Sequence, residues 1–299
     1  MDQKAARTSD RVINAVIRIS GYSSILFVTL ILLFLMGEGL PALRFASLRD
    51  LFSSIWYPNE SLYGILPLIF GSVMVTIGAM LVALPLGIIT AVFISEIAPR
   101  WAKESLKSLV EILAGIPSVV LGFIGILVLV PALRRAFDLP TGLTAFTGAI
   151  LLGLIAIPTV VSIAEDALNT VPVSYRHASM ALGATQWQTI WGVTVPAARS
   201  GILTAVMLGV GRALGETMAV MMVTGNAPVL PSGLNALFLP VRTMTATIAS
   251  EMGEVASGSP HYQVLFFIGI LLFTVSLVIN VAASAVTFRQ RGRSERVLS

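Results

Sequence analysis

Long stretches of this chain carry no charged side chain, among them 19–37, 61–95, 112–133, 139–164 and 255–288. About 20 mainly apolar residues suffice for a helix to cross a bilayer. Lipid offers nothing to a bare N–H or C=O, so a run of this length crosses as a helix. A transmembrane β-barrel would show short alternating segments instead. Hydrophobic residues make up 56% of the chain and charged residues 11%, against about 25% charged in soluble domains. The expected fold is all-α, a polytopic membrane protein with six spans at 20–36, 66–94, 106–133, 144–163, 202–224 and 262–288. A six-helix transmembrane unit, 20–288, would then stand between an N-terminal arm, 1–19, and a tail, 289–299. The first segment shows no small-residue cleavage site after a compact apolar region, so it reads as a retained anchor.

Lys and Arg orient the spans. Lys4, Arg7, Arg11, Arg18, Arg100, Lys103, Lys107, Arg176, Arg199, Arg289, Arg291, Arg293 and Arg296 fall on one side. Arg44, Arg49, Arg134, Arg135 and Arg242 fall on the other. The richer side is cytoplasmic by the positive-inside rule. Both termini and the polar loop 165–201 are therefore expected in the cytoplasm. The net charge of +4 reflects this placement and does not indicate a nucleic-acid surface.

The loop 165–201 is not built as a passive linker, which would be Gly/Ser-rich or charge-rich. Helix-forming stretches flank Gly183, and Pro196 follows. Gly183 suits a left-handed turn between two short helices. Ala178, Ala181 and Leu182 offer a small apolar surface to a partner. His177-Ala178-Ser179, three residues, Gly183, nine residues and Val193-Thr194-Val195-Pro196 resembles the EAA motif of bacterial ATP-binding cassette importer permeases. The spacing matches throughout. His177 stands where that motif has Glu, and Ser179 where it has its second Ala. The resemblance implies a type I importer permease fold and a coupling helix that docks into a cleft of an ATPase subunit. An ordinary amphipathic surface loop is the plainer alternative. No G-x-x-x-x-G-K-[ST] occurs in the chain, so ATP hydrolysis would belong to a separate subunit, and no cofactor is expected on this one.

The fifth span carries Arg212 and Glu216, four residues apart and flanked by Gly209, Gly211 and Gly215. At that spacing they are expected to share one helix face. Burying each costs about 2.5–3.5 kcal/mol on insertion scales, and such residues mark substrate or ion pathways by default. An Arg fork suits an oxyanion. A carboxylate beside it could accept the proton of hydrogen phosphate, which sulfate lacks. A self-neutralising pair holding helices together is the structural alternative. The stretch from Gly211 to Met218 also resembles the G-R-A-x-G-E-T signature of phosphate-specific importer permeases. Arg242-Thr243-Met244-Thr245 and Glu251-Met252-Gly253-Glu254 are similar to the outer loop of that family, closest to its PstC-type subunit. The resemblance implies a heterodimer with a PstA-type permease subunit, two ATP-binding subunits and a periplasmic phosphate-binding protein, all at the cell inner membrane. Other readings stay open: a permease for sulfate or molybdate, a self-contained channel or secondary transporter, or a membrane enzyme. The last lacks a clustered nucleophile and base.

The remaining signals are small. The chain has no cysteine and two histidines, His177 and His261, far apart, so disulfides and a protein metal site are not expected. Pro67, Pro85, Pro117 and Pro158 interrupt spans and favour kinks. A short helix is expected near 242–254. Glu111 reads as a partner of Lys107, its i−4 neighbour, with a place at the inner end of the pathway as the alternative. Trp56, Tyr57, Tyr63 and Trp101 read as interfacial belt residues, Trp187 and Trp191 as packing for the loop, and His261 as an interface residue without a chemical role. The Lys/Arg bias predicts that a C-terminal reporter is active only on the cytoplasmic side. Activity confined to the outside would invert the topology.

Overall fold

The charge-free runs fold as helices. The computed structural model describes the backbone of residues 3–233 and 235–297 and the side chains of 13–233, 235–282 and 285. Helix α1 (Gln3–Gly39) leads to an outer cap made of α2 (Leu48–Leu51) and the hairpin β1 (Trp56–Tyr57) and β2 (Leu62–Tyr63). Helix α3 (Leu66–Val92) ends in a π-turn, Phe93–Ile97. Next come α4 (Arg100–Gly115), α5 (Ser118–Ile124), a second π-turn and α6 (Val130–Ala136). Helix α7 (Ala145–Asn169) precedes the hairpin of α8 (Val173–Ala181) and α9 (Gln186–Thr189). A third π-turn and α10 (Val195–Ala197) lead to α11 (Arg199–Gly215) and α12 (Met218–Val223). Helices α13 (Met244–Glu251) and α14 (Pro260–Val297) complete the order. Helix α1 begins within the arm expected at 1–19, and α14 runs into the tail expected at 289–299. Residues 1–2 and 298–299 lie outside the described residues.

The centre of the bundle is the pair α3 and α7. Of α7's most apolar window 61% is buried, of α3's 39% and of α1's none. The two central helices approach closely because small residues face each other: Gly78 against Ala149, Gly87 against Val160, and Gly153 against Val82 and the carbonyl of Ala79. Apolar attraction between helices is weak in lipid, so close backbone packing takes over its role. Helix α11 joins the seam through Gly209 on Val160 and Gly201 on Ala167. Helix α1 rides outside on α14, with Phe34 edge-on to Phe266 at 5.6 Å. Its outward Ile, Leu and Phe side chains suit a lipid surface.

Two expected spans are broken. The third was expected at 106–133. Ile116 and Pro117 are extended (ψ 127° and 133°), so the helix stops at Gly115 and a new one starts at Ser118. A residue before proline is pushed out of the α region, and here Pro117 ends the helix instead of kinking it. The crossing is then Ser118–Ala136, and α4 is a separate amphipathic helix exposing Trp101, Leu109, Ile112 and Leu113. The fifth span, expected at 202–224, parts at Glu216 into α11 and α12. Among the described residues five helices reach membrane-crossing length on their own, and α11 is counted as a sixth crossing only as part of a bent pair. On that count its mate is Gln186–Ala197, bent 70° from it. That mate is tied to the α8 hairpin, whereas α12 continues toward the outer loop, so α11 with α12 is the fifth crossing. The fourth span, expected to end at 163, continues to Asn169. Glu165 is therefore a buried residue of α7 and not part of a loop.

Between α12 and α14 the outer loop folds back into the bundle. Val241, Met244, Ala246 and Thr247 are buried, and the Val241 N–H donates to the Thr224 carbonyl at 2.9 Å. Helix α13 is the short helix expected near 242–254, started by Thr243, whose hydroxyl accepts from the Ala246 N–H. The loop can enter because Gly71 of α3 leaves room: a Cβ there would fall on the Arg242 carbonyl oxygen. Overpacking of this kind costs about 1–3 kcal/mol. Gly71→Val is therefore expected to lower the melting temperature of detergent-solubilised protein. Gly21→Ala, where nothing lies within 4 Å, should not. Equal melting of both variants and the parent would contradict this packing.

Candidate functional site

Three glycines lower the helical preference of the fifth span just where it stops. Glu216 follows Gly215 with extended backbone (φ −69°, ψ 130°). Its Oε1 accepts from the Thr217 N–H at 3.1 Å and the Ala219 N–H at 3.5 Å, satisfying donors that the break leaves without partners. Its carbonyl accepts from the Thr245 hydroxyl at 3.1 Å. Irregular backbone at membrane depth is tolerated where protein or a cavity surrounds it, and transporters place binding sites at such interruptions. Here Glu216 borders a small pocket whose polar lining is Ser72 and Thr76 of α3 with Thr243 and Thr245 of the re-entrant loop. Ser72 also accepts from the Met244 N–H at 2.9 Å, locking loop to helix.

Arg212 does not join Glu216. It lies on an exposed face of α11, and no ion pair between the two occurs among the described residues. The expectation of one shared helix face fails because the helix ends between them. Arg212 therefore presents its fork at the surface of this chain, while Glu216 looks into the pocket beside α3.

An outer cluster was missed from sequence. Glu251 pairs with Arg242 Nη1, accepts from Trp56 Nε1 at 3.3 Å, and meets His261 Nε2 at 2.8 Å. Arg242 also donates to the Ser250 hydroxyl. Trp56 and Tyr63 are buried, each about 6 Å from the His261 ring. They are core residues of the outer cap and not belt anchors, and His261 helps to hold the re-entrant loop. Only Tyr57 of that trio is exposed. The partners are distant in sequence, 195 residues apart for Trp56 and Glu251, so no local pattern could reveal them.

At the hairpin end of the bundle Lys107 does not pair with Glu111. It donates to Glu165 at 3.0 Å and Asp166 at 3.3 Å, with Lys103 at 3.8 Å from Glu165. The hydrogen bond to Glu165 outweighs burial and holds the Lys107 ammonium above the ordinary lysine range. A raised lysine pKa stabilises fully below that range and is lost only as pH rises through it, so this contribution is intact at neutral pH.

The hairpin expected to couple to a partner has the geometry its sequence suggests. Gly183 sits at φ +87°. The Ala184 N–H donates to the Ser179 carbonyl and the Gly183 N–H to the Met180 carbonyl, the Schellman pattern that closes α8. Thr185 and Gln188 exchange side-chain and backbone bonds at the start of α9, a capping box. Ser179 meets the Thr189 hydroxyl at 2.9 Å, clasping the two limbs. Ala178 and His177 are exposed, and Leu182 at the tip is 90% exposed. Pro196 stands away from that tip, at the base of the hairpin beside the bend at Ala198. Trp187 and Trp191 stack edge-on at 5.8 Å and both remain largely exposed.

Residues 83–292 match the family described as binding-protein-dependent transport system inner membrane component. The chain belongs to that family. The probable ABC transporter permease protein YqgH of Bacillus subtilis (strain 168) is 46% identical over 225 residues, 75% of this chain and 72% of its own length. The phosphate transport system permease protein PstC of Mesorhizobium japonicum is 35% identical over 261 residues, 81% of this chain and 79% of that protein. The PstC of Xylella fastidiosa (strain Temecula1) is 33% identical over 274 residues, 85% and 83%. Among solved structures, a bacterial ABC transporter involved in import of the polysaccharide alginate aligns with a TM-score of 0.58 at 16% identity, covering 93% of this chain and 99% of that one. The methionine ABC transporter MetNI aligns at 0.55 and 19%, covering 75% and 93%. These two carry the fold: a type I ABC importer permease.

The positive φ at Gly183 makes the hairpin turn the most sensitive point of the loop. A left-handed conformation costs an ordinary residue about 1–2 kcal/mol and a β-branched one more. Gly183→Val is expected to leave membrane abundance unchanged and to lower ATP-dependent uptake at least tenfold. Uptake and ATP hydrolysis at parental levels would show that the turn is dispensable.

Proposed function

We propose that this chain is a permease subunit of an ATP-driven importer that moves inorganic phosphate inward across the inner membrane by alternating access. Its path would run past Arg212 and Glu216. The interrupted fifth span is the observation that carries this reading. It puts one carboxylate among hydroxyls and one guanidinium on an open face, within a crossing that has no other charge between Arg199 and the outer loop. A guanidinium fork matches an oxyanion, and a carboxylate can take the proton that hydrogen phosphate carries. The absence of an Arg212–Glu216 ion pair supports separate roles over mutual neutralisation. The names of the phosphate permease relatives agree with this substrate.

The remaining parts of the assembly follow from surfaces. Arg212 faces outward from the single chain, which suits a second, homologous permease subunit of PstA type completing the path. Leu182, apolar and at the tip of a polar hairpin, suits the groove of an ATP-binding subunit, two of which would serve the pair through the segment His177, Ala178, Ser179 and Gly183. The outer cap would receive a periplasmic phosphate-binding protein. Both termini would lie in the cytoplasm.

Phosphate uptake by a deletion strain carrying the chain with its companion subunits tests the reading. Arg212→Gln should lower uptake at least tenfold at matched membrane abundance. Arg212→Lys, which keeps the charge but loses the fork, should fall between it and the parent. Arg212→Gln with Glu216→Gln should stay inactive. Full uptake by that double variant would leave the two residues a purely structural role.

A further inference from the structure

We infer that Glu96 and Arg176 form the joint through which the cytoplasmic hairpin drives the central helix pair α3 and α7. The inference rests on the importer reading above. The π-turn Phe93–Ile97 closes α3, with the Ala98 N–H reaching the Phe93 carbonyl at 2.8 Å. It delivers Glu96 to the hairpin, where its side chain is 8% exposed. Arg176 of α8 grips that carboxylate with both arms of its fork: Nε to Oε2 at 3.1 Å and Nη2 to Oε1 at 2.6 Å. Fork-to-carboxylate pairing fixes orientation as well as distance.

The same guanidinium also holds the end of α7. Nη2 donates to the Leu168 carbonyl at 3.0 Å and Nη1 to the Val171 carbonyl at 2.8 Å. From the other limb of the hairpin, Gln186 Nε2 donates to the Glu96 backbone carbonyl at 3.0 Å. Glu96 is thus held from both sides of the Gly183 turn. One arginine ties α8 to the cytoplasmic ends of the two most buried spans, which are themselves pressed together by small residues. In contrast, the covalent route from hairpin to fifth span passes through the 70° bend at Ala198. A displacement at the exposed Leu182 tip therefore reaches α3 and α7 through a stiff polar joint and reaches α11 through a bend. Glu96 and Arg176 are positioning residues, since neither borders the pocket at Glu216.

The test uses the complete importer in membrane vesicles and reads ATP hydrolysed per phosphate taken up. Glu96→Ala and Arg176→Ala are expected to raise that ratio at least tenfold while ATPase subunits remain bound. Glu96→Asp, which keeps the carboxylate, should recover most of the coupling. The chain has no cysteine, so Glu96→Cys with Arg176→Cys offers a unique pair within it. Bridging that pair with a short bis-maleimide should restore coupling that the unbridged pair lacks. This arm stands if the alanine variants fail to assemble. Parental coupling in the alanine variants, or a bridge that blocks transport, overturns the joint and leaves the importer reading intact. Uptake by the parent assembly that needs no ATP overturns both.

Discussion

Close backbone contact between α3 and α7 is the constraint on which the remaining architecture rests. In a membrane, helices gain little from hiding apolar side chains from one another. Gly78, Gly87 and Gly153 substitute for that missing drive by bringing two backbones within packing range. Once the seam exists, Ser72 and Thr76 on α3 face the interrupted fifth span, Gly71 admits the re-entrant loop, and Glu96 and Leu168 come within reach of one arginine, Arg176. The pocket, the outer cap and the joint at the hairpin are consequences of one pair of helices lying close.

Polar groups are distributed in three tiers along that seam. At one end, Glu251 gathers Arg242, His261 and Trp56. In the middle, Glu216 is left with backbone N–H partners alone. At the other end, Glu96 and Glu165 are each matched by cations. Carboxylates at the two ends are neutralised within the chain, and the middle one is not. That contrast leaves Glu216 as the carboxylate of the three tiers whose charge no side chain among the described residues meets.

Much of this was legible in the residues, and the failures have identifiable causes. Run length revealed the crossings, and the glycine at Gly183 revealed the hairpin turn, because each depends on local chemistry. Pro117 and Gly215–Glu216 were read as features inside continuous helices. Periodicity sees apolar content on both sides of a break and cannot sense that the chain is extended at Ile116 or Glu216. Trp56 and Tyr63 carried the composition of interfacial residues, but the fold-back of 241–251 buries them. Lys107 chose Glu165, on a different helix, over Glu111 four residues away. Tertiary partners decided these cases, and a one-dimensional pattern holds no record of them.

The π-turn at Phe93–Ile97 has a consequence for how this chain tolerates change. Such a turn amounts to one extra residue in a helix, and each helical residue advances the side-chain direction by about 100°. Removing one residue from Phe93–Ser95 would return the segment to a regular α-helix and swing Glu96 by roughly that angle, away from Arg176. Replacements within Phe93–Ile97 that leave Glu96 alone keep the register. The segment is thus forgiving of altered side chains and unforgiving of altered length, so among related chains insertions and deletions should be scarcer there than their share of substitutions would suggest.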